Sequence, residues 1–112
     1  MKITSVKETQ ISDTPHKVDV RKLYDMEHAQ AVHISLQPGE ALKPHITPVD
    51  VFFYILEGTP GVLVGDERVT TEADNLIESP RDIPHCLYNN SESLARILVV
   101  KAPKPVKGPR LL

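Results

Sequence analysis

The chain contains a single cysteine, Cys86, and no tryptophan. One thiol cannot form an intrachain disulfide, which is typical of proteins from a reducing compartment. The longest apolar run, Val51 to Leu56, has the length of a strand and is far too short to span a bilayer. The first ten residues, MKITSVKETQ, lack the apolar stretch of a signal peptide. These absences lead us to expect a cytoplasmic protein.

An excess of charge of either sign is also missing. Thirteen lysines and arginines face fifteen aspartates and glutamates, for a formal net charge of -2. Without a basic excess there is nothing to attract phosphate backbones, so nucleic acid and membrane surfaces are poor candidates as partners. Hydrophobic residues make up 40% of the 112 residues, which is ordinary globular composition for one domain.

No segment shows helical periodicity of helix length, whereas turn signals recur throughout the chain. Short runs rich in β-branched residues lie between these signals, and such spacing predicts an all-β sandwich or barrel. The runs are Ala29 to Leu36, Val51 to Leu56, Gly61 to Val64, Arg68 to Thr71, Leu76 to Glu78, Cys86 to Tyr88 and Leu94 to Val100. Weaker signals predict two earlier strands, near Ile3 to Val6 and Val18 to Leu23, and a helical turn at Leu23 to Glu27.

Alternation along the strands indicates which side chains face inward. Val32, Ile34 and Leu36 share one face of their run, while His33 and Ser35 take the other. The chain from residue 103 to residue 112 carries prolines, which cannot donate backbone hydrogen bonds within a central strand. We therefore expect a barrel domain over residues 1–102, followed by a Pro-rich tail that is extended or disordered.

The run from Val51 to Leu56 does not alternate, because both of its faces are apolar. Both faces should then be covered, and a chain this small has few strands left to cover the outer one. A second copy of the chain is one source, since symmetric pairs are the commonest oligomers. We expect a homodimer with Phe52, Tyr54 and Leu56 at the interface; a terminal strand of the same chain is the alternative.

Two segments carry recognisable motifs. The first runs from Pro38 to Gly58 and resembles the first cupin motif, in which a glycine is followed by His-x-His, then a glutamate and a closing glycine. Here Gly39 is followed by five residues and then His45. The second segment resembles the second cupin motif, Pro-x-Gly, two residues, His, three residues, Asn. Pro80, Asp82, His85 and Asn89 occupy those slots.

The chain is therefore similar to small single-domain cupins of the RmlC-like type, and the resemblance implies a double-stranded β-helix, or jelly roll. It also implies a metal site, because metal-binding cupins take two histidines and a glutamate from the first motif and one histidine from the second. His45 and His85 match two of those four ligands. Thr47 stands in the slot of the second histidine and Val51 in that of the glutamate, while Asp82 replaces a glycine.

Two imidazoles alone make a weak site, since bound transition metals generally have at least three protein ligands. His33, Asp50 and Thr47 are the candidates for a third ligand, and His16 and His28 are weaker ones. Zinc, nickel, iron, copper or manganese would suit such a site. The alternative is that His45 and His85 are hydrogen-bonded to neighbours and bind no metal.

Apolar residues should line the interior beside the two imidazoles. The expected lining residues are Thr47, Val51, Phe53, Ile55 and Leu87. A mostly apolar concavity with a few polar groups is the usual form of a small-ligand site. Cys86 should face away from the cavity as a buried, inert thiol, and the motif asparagine, Asn89, should close a turn.

Three functions remain open at this point. The first is a cupin that binds a divalent metal, a small molecule or both through His45 and His85. The second is a metal-dependent enzyme of the dioxygenase or isomerase type acting on a small molecule, and the third is a structural or regulatory dimer with a vestigial cavity. The substrate and the metal do not follow from the residues.

Overall fold

The computed structural model describes residues 1–112 and contains ten strands and one short 3-10 helix, Val6–Glu8. The strands are β1 (Asp19–Met26), β2 (Ala29–Leu36), β3 (His45–Ile46), β4 (Val51–Glu57), β5 (Gly61–Val64), β6 (Glu67–Thr70), β7 (Leu76–Ser79), β8 (His85–Tyr88), β9 (Ala95–Lys101) and β10 (Arg110–Leu111). This is the all-β architecture that the density of turn signals predicts.

The strands form two five-stranded antiparallel sheets. Sheet A has the order β1-β2-β9-β4-β7, and sheet B has the order β10-β3-β8-β5-β6. The chain crosses between the sheets several times, which is the arrangement of a double-stranded β-helix. Because most consecutive strands lie in different sheets, residues far apart in the chain meet in the space between the sheets.

The hydrophobic core lies between the sheets and follows the period of two. On β2, Val32, Ile34 and Leu36 belong to the core cluster, as their alternation predicts. On β9, Ala95, Ile97 and Val99 also face inward and are buried, while the intervening residues are only partly buried. The next inward position on β9 is Lys101, which places a lysine at the end of an apolar row.

Three positions of the two motifs have a backbone conformation that favours glycine. Gly39 and Gly58 have φ angles of +86° and +82°, in the left-handed region that side chains with a Cβ rarely adopt. A Cβ at Gly58 would also collide with the carbonyl of Leu94. Asp82 has a φ of +64°, so it adopts the glycine-like conformation of the slot that it fills.

Asn89 closes a turn, as expected from its place in the second motif. Its Nδ2 group donates hydrogen bonds to the carbonyls of Leu36 and Ser93, each at 2.8 Å. Its Oδ1 atom accepts from the backbone N–H of Ser91 at 3.0 Å. The side chain is fully buried and therefore unavailable to a ligand.

Two expectations for the N-terminal region are wrong. Residues 3–6 form no strand; the 3-10 helix begins at Val6, and the only β-bridge before β1 joins Ile11 to Arg21. Residues 23–27 form no helical turn, since β1 continues to Met26 and pairs with β2 around a register shift between Lys22 and Tyr24. Cross-strand pairing with β2 overrides the weak local helical preference.

Two short strands escaped the sequence pattern because each has only two residues. They are β3 and β10, and they pair with one another at the edge of sheet B. The prolines of the tail agree with its position, since an edge strand leaves one row of backbone groups unpaired.

The outer face of β4 is not covered by a terminal strand of the same chain, because β10 belongs to sheet B. Phe52 and Tyr54 are partly buried there and Leu56 is exposed. The structure contains no helix with the length and apolar character needed to cross a lipid bilayer.

Candidate functional site

Two histidines from distant segments meet inside the barrel. His45 is the first residue of β3 and His85 the first residue of β8, and each directly follows a proline. The two are register partners in the antiparallel β3–β8 pair. Their rings approach edge to face, with centroids 4.5 Å apart. Both side chains are buried, with 6% and 3% of their surface exposed.

A chain of hydrogen bonds holds both imidazoles in place. The Nδ1 atom of His45 lies 2.8 Å from the carbonyl of Lys43, which can only accept, so Nδ1 carries the proton. In the neutral ring Nε2 is then a bare acceptor, and it lies 3.0 Å from Nε2 of His85. The His85 Nε2–H therefore donates to His45. On its other side, Nδ1 of His85 accepts from the Ser79 hydroxyl at 2.7 Å.

Burial keeps both rings neutral. It is the main reason why the pKa of His85 falls from 6.5 to about 3, and the neighbouring His45 and Lys101 lower it further. Burial also lowers the pKa of His45, against a smaller opposing effect of the Lys43 carbonyl. A neutral pair presents one N–H and one lone pair at the same point, so it suits a partner that both donates and accepts, such as a hydroxyl group.

The pair borders a cavity of about 290 Å³. Its walls are mostly apolar, and polar groups gather around the imidazoles and the mouth. The apolar walls are Val20, Val32, Ile34, Leu42, Val51, Phe53, Leu87, Val99 and Pro109, and the polar lining includes His16, Lys22, Gln30, His45, His85 and Lys101. The Phe53 ring packs edge to face on His85, with centroids 5.3 Å apart. A compact, largely apolar molecule fits this space.

A third imidazole, His16, reaches the cavity from the loop before β1. Residues 12–16 of this loop line the cavity, and the loop is anchored where Nδ1 of His16 accepts the backbone N–H of Lys43 at 2.9 Å. The His16 and His45 ring centroids are 4.9 Å apart. Burial, followed by the charge that His45 would carry, lowers the pKa of His16 to about 4.

The residues at the predicted interior positions lie at or below the cavity. Val51, Phe53 and Leu87 line it, and Ile55 lies fully buried in the core. Thr47 is buried, with its Oγ1 atom 3.2 Å from Nε2 of His85. Three of the five expected lining residues therefore line the cavity, whereas Thr47 and Ile55 are buried and do not line it.

Other candidate ligands lie elsewhere. His33 is on the opposite face of β2 from Val32 and Ile34, and its Nε2 accepts from Arg96 at 3.1 Å. Asp50 is exposed and accepts from the backbone N–H of Arg81 at 2.9 Å. His28 is exposed and contacts the Tyr24 hydroxyl. None of these three lines the cavity.

Cys86 is buried, as expected, and its thiol donates to the carbonyl of Leu42. Burial raises the pKa of this thiol, which favours the inert neutral form. The residue nevertheless borders the cavity, so it does not face wholly away from it.

Sequence reasoning missed two residues of the site. Ser79 holds His85 from β7 of the opposite sheet, and no motif marks it. Lys101 lines the cavity beside Val51, its register partner. The alternation Ala95, Ile97, Val99 could have revealed Lys101, because the next residue on that face is position 101.

Comparison with known proteins agrees with this geometry. A family model described as Cupin domain matches residues 32–101, a segment that includes both motifs. The chain belongs to the cupin family. The match covers most of the two sheets and both histidines of the pair.

Individual proteins extend the comparison. The chain is 29% identical over 89 residues to an uncharacterised protein of Methanocaldococcus jannaschii, which covers 79% of this chain and 77% of that one. It is 34% identical over 80 residues to the tetracenomycin polyketide synthase protein TcmJ of Streptomyces glaucescens, covering 68% of this chain and 54% of that protein. A crystal structure of a Thermus thermophilus protein superposes with a TM-score of 0.80 at 32% identity, covering 94% and 100% of the two chains.

Cupins often hold a metal, so the donor set must be tested against one. No group of three or more histidine, cysteine, aspartate or glutamate side chains is arranged to hold an ion. The 3.0 Å between the two Nε2 atoms would suit two ligands of one ion, but Thr47 and Val51 add only a hydroxyl and a hydrocarbon. Lys101 also lines the cavity, and its positive charge repels a metal cation. The residues present do not fit a firmly held transition metal.

Proposed function

We propose that this cupin binds a small, largely apolar molecule in its barrel cavity and holds it by hydrogen bonds with His45 and His85. The observation that carries the proposal is the 3.0 Å contact between the two buried Nε2 atoms at the wall of a 290 Å³ cavity. Each ring is also held from its far side, so the pair is oriented before a ligand arrives. Preorganised polar groups in an apolar pocket are what a small-ligand site requires.

Hydrogen bonding is favoured over metal coordination by the donor set and by the lysine. An incoming hydroxyl can donate to the bare Nε2 of His45 and accept from the Nε2–H of His85. This exchange replaces the bond between the two rings with two bonds to the ligand. It needs no change in the protonation of either ring, which agrees with their lowered pKa values.

Proton transfer is a second candidate function, and one observation favours it. Nδ1–H of His45 donates to the carbonyl of Lys43, so the lone pair of the ring is at Nε2. This lone pair can take a proton from an acidic group of a ligand, which is the role of a general base. One relative is a polyketide synthase protein, TcmJ of Streptomyces glaucescens, so an enzymatic role on a small organic molecule is the alternative to binding alone. A pKa near 3 makes His85 a poor base at neutral pH, so in this role His45 would take the proton and His85 would donate a hydrogen bond.

The test of ligand binding is nuclear magnetic resonance of the histidine rings during titration with small hydroxyl- and carbonyl-bearing compounds, benzyl alcohol among them. Binding compounds should shift the ring nitrogen signals of His45 and His85. The double variant H45Q/H85Q should lose the binding, while H28Q, which changes the exposed hairpin histidine, should retain it. Unchanged affinity in the double variant would rule the proposal out.

A further inference from the structure

Lys101 is a charged cavity residue to which the hydrogen-bonded histidine pair assigns no role. Its side chain continues the inward-facing row of Ala95, Ile97 and Val99 and lines the cavity. It is partly buried and takes part in none of the chain's salt bridges. An ammonium group at an apolar wall without a counterion is costly unless an anion joins it.

The neighbouring charges do not supply that anion. Lys22 also lines the cavity, and it lies 3.6 Å from Asp25 outside it. Asp13 is the only acidic residue in the lining, and its carboxylate is highly exposed and pairs with Lys17 at 3.0 Å. The cavity therefore carries a net positive charge at its polar side.

The position of Lys101 also has a meaning within the family pattern. Its register partner on β4 is Val51, which stands in the slot of the motif glutamate. Where that pattern has a carboxylate, this chain has a hydrocarbon with a lysine beside it. The change reverses the sign of the charge that a ligand meets next to the imidazoles.

We propose that the cavity selects molecules that carry a carboxylate on a compact apolar body, and that Lys101 forms the ion pair with that carboxylate. The inference rests on the proposed function and specifies its ligand class. The apolar body lies against Val51, Phe53 and Leu87, and the anionic group lies towards Lys101. An ion pair formed there is shielded from water on one side and is stronger than one on the surface.

The burial of Lys101 adds support. Loss of hydration, and to a lesser extent the charge of Lys22, lowers the pKa of its ammonium. The charge of Lys101 in turn lowers the pKa values of His16, His45 and His85. A bound carboxylate offsets both effects. Its negative charge stabilises the Lys101 ammonium and reduces the repulsion that disfavours protonation of the three histidines.

The experiment compares benzoate with benzyl alcohol, two molecules of similar shape that differ in charge. Both are titrated into the full chain by calorimetry, and the ring signals of His45 and His85 report whether they enter the cavity. Benzoate should bind at least about tenfold more tightly than benzyl alcohol, the size expected for a charge-assisted hydrogen bond. This comparison uses the unmodified protein, so it does not depend on a variant that folds.

Variants then assign the effect to one residue. Lys101→Met keeps the apolar stem and should weaken benzoate about tenfold or more, with benzyl alcohol changed less than about twofold. Lys101→Arg restores the charge and should recover most of the benzoate affinity. Lys107→Met removes an exposed lysine outside the cavity and should change neither ligand.

The failures are distinguishable. If benzyl alcohol and benzoate bind equally, or if Lys101→Met leaves benzoate unaffected, the carboxylate inference is wrong while binding through the histidine pair stands. If neither compound shifts the His45 and His85 signals, the inference is wrong and the proposed function loses its support as well.

Discussion

Nε2 of His45 and Nε2 of His85 lie 3.0 Å apart at the single register position that joins β3 to β8. This contact joins the two motifs of the chain, and the backbone pairing of β3 with β8 brings the two rings together. The pair is neutral, buried and supported on both sides.

Removal of the Ser79 hydroxyl should cost more than removal of the Thr47 hydroxyl. Ser79 donates to Nδ1 of His85 at 2.7 Å in a fully buried position, so Ser79→Ala leaves a buried acceptor unpaired and should lower the free energy of unfolding by about 1–2 kcal/mol. Thr47 lies 3.2 Å from a nitrogen that already donates to His45. Thr47→Val should cost less than about 1 kcal/mol. Urea denaturation measures the free energy of unfolding of both variants. A larger loss in Thr47→Val than in Ser79→Ala would contradict the hydrogen-bond chain.

Stability should fall as the pH is lowered below about 6.5. The unfolded chain protonates His85 near its ordinary pKa of 6.5, whereas the folded chain does so only near 3. Between these values the unfolded state binds more protons, so acid favours unfolding across this window. At pH 4 the loss attributable to His85 should be on the order of 3 kcal/mol, since the pH is then about 2.5 units below the unfolded pKa and each unit corresponds to about 1.4 kcal/mol.

The variant His85→Gln isolates this contribution, because its stability should change less between pH 7 and pH 4 than that of the wild type. The measurement is the free energy of unfolding in urea at several pH values. Equal slopes in the two proteins would show that another group controls the acid response.

Divalent metals should bind weakly. Two imidazoles supply too few ligands, and the Lys101 ammonium opposes a second cation in the cavity. Nickel or zinc added to the protein should be lost on gel filtration, and EDTA should leave the Tm unchanged within about 1 °C. Lys101→Met should strengthen the metal binding. A stoichiometric ion retained through purification would contradict this prediction.

The outer face of β4 should form a dimer interface. Phe52 and Tyr54 are only partly buried in the single chain, and no strand of the chain lies over them. Phe52→Glu should shift the protein towards the monomer in analytical ultracentrifugation, because a carboxylate in an apolar interface must lose its hydration. Val106→Glu, at a fully exposed position in the tail, is the matched control. A wild-type monomer at high concentration would refute the interface.

Sequence reasoning succeeds for the fold because its signals are local. Gly39 and Gly58 belong to turn signals in the sequence, and both have positive φ angles in the structure. The alternation of Val32, Ile34 and Leu36 marks an inward face. These features depend on the chain's own backbone and on the period of a strand. Local signals fail where strand pairing decides the conformation, as at residues 23–26 of β1, a strand that pairs with β2 and is extended.

The site could be predicted only in part. The motif spacing indicates that His45 and His85 belong together, and the structure agrees. The sequence favours His33 over His16 as a third ligand, yet His16 is the imidazole that lines the cavity. Alternation within one strand cannot tell which face a partner sheet will enclose, and a loop has no periodicity from which its position can be read.

The amino-acid sequence by itself determined the cupin barrel, the two imidazoles and the departures at Thr47 and Val51, because motif spacing and strand alternation are properties of the chain alone. Only the tertiary structure decided that Ser79 holds His85, that His16 joins the pair and that Lys101 faces the cavity without a counterion. Those contacts join strands and loops from both sheets, and their distances depend on how the sheets pack.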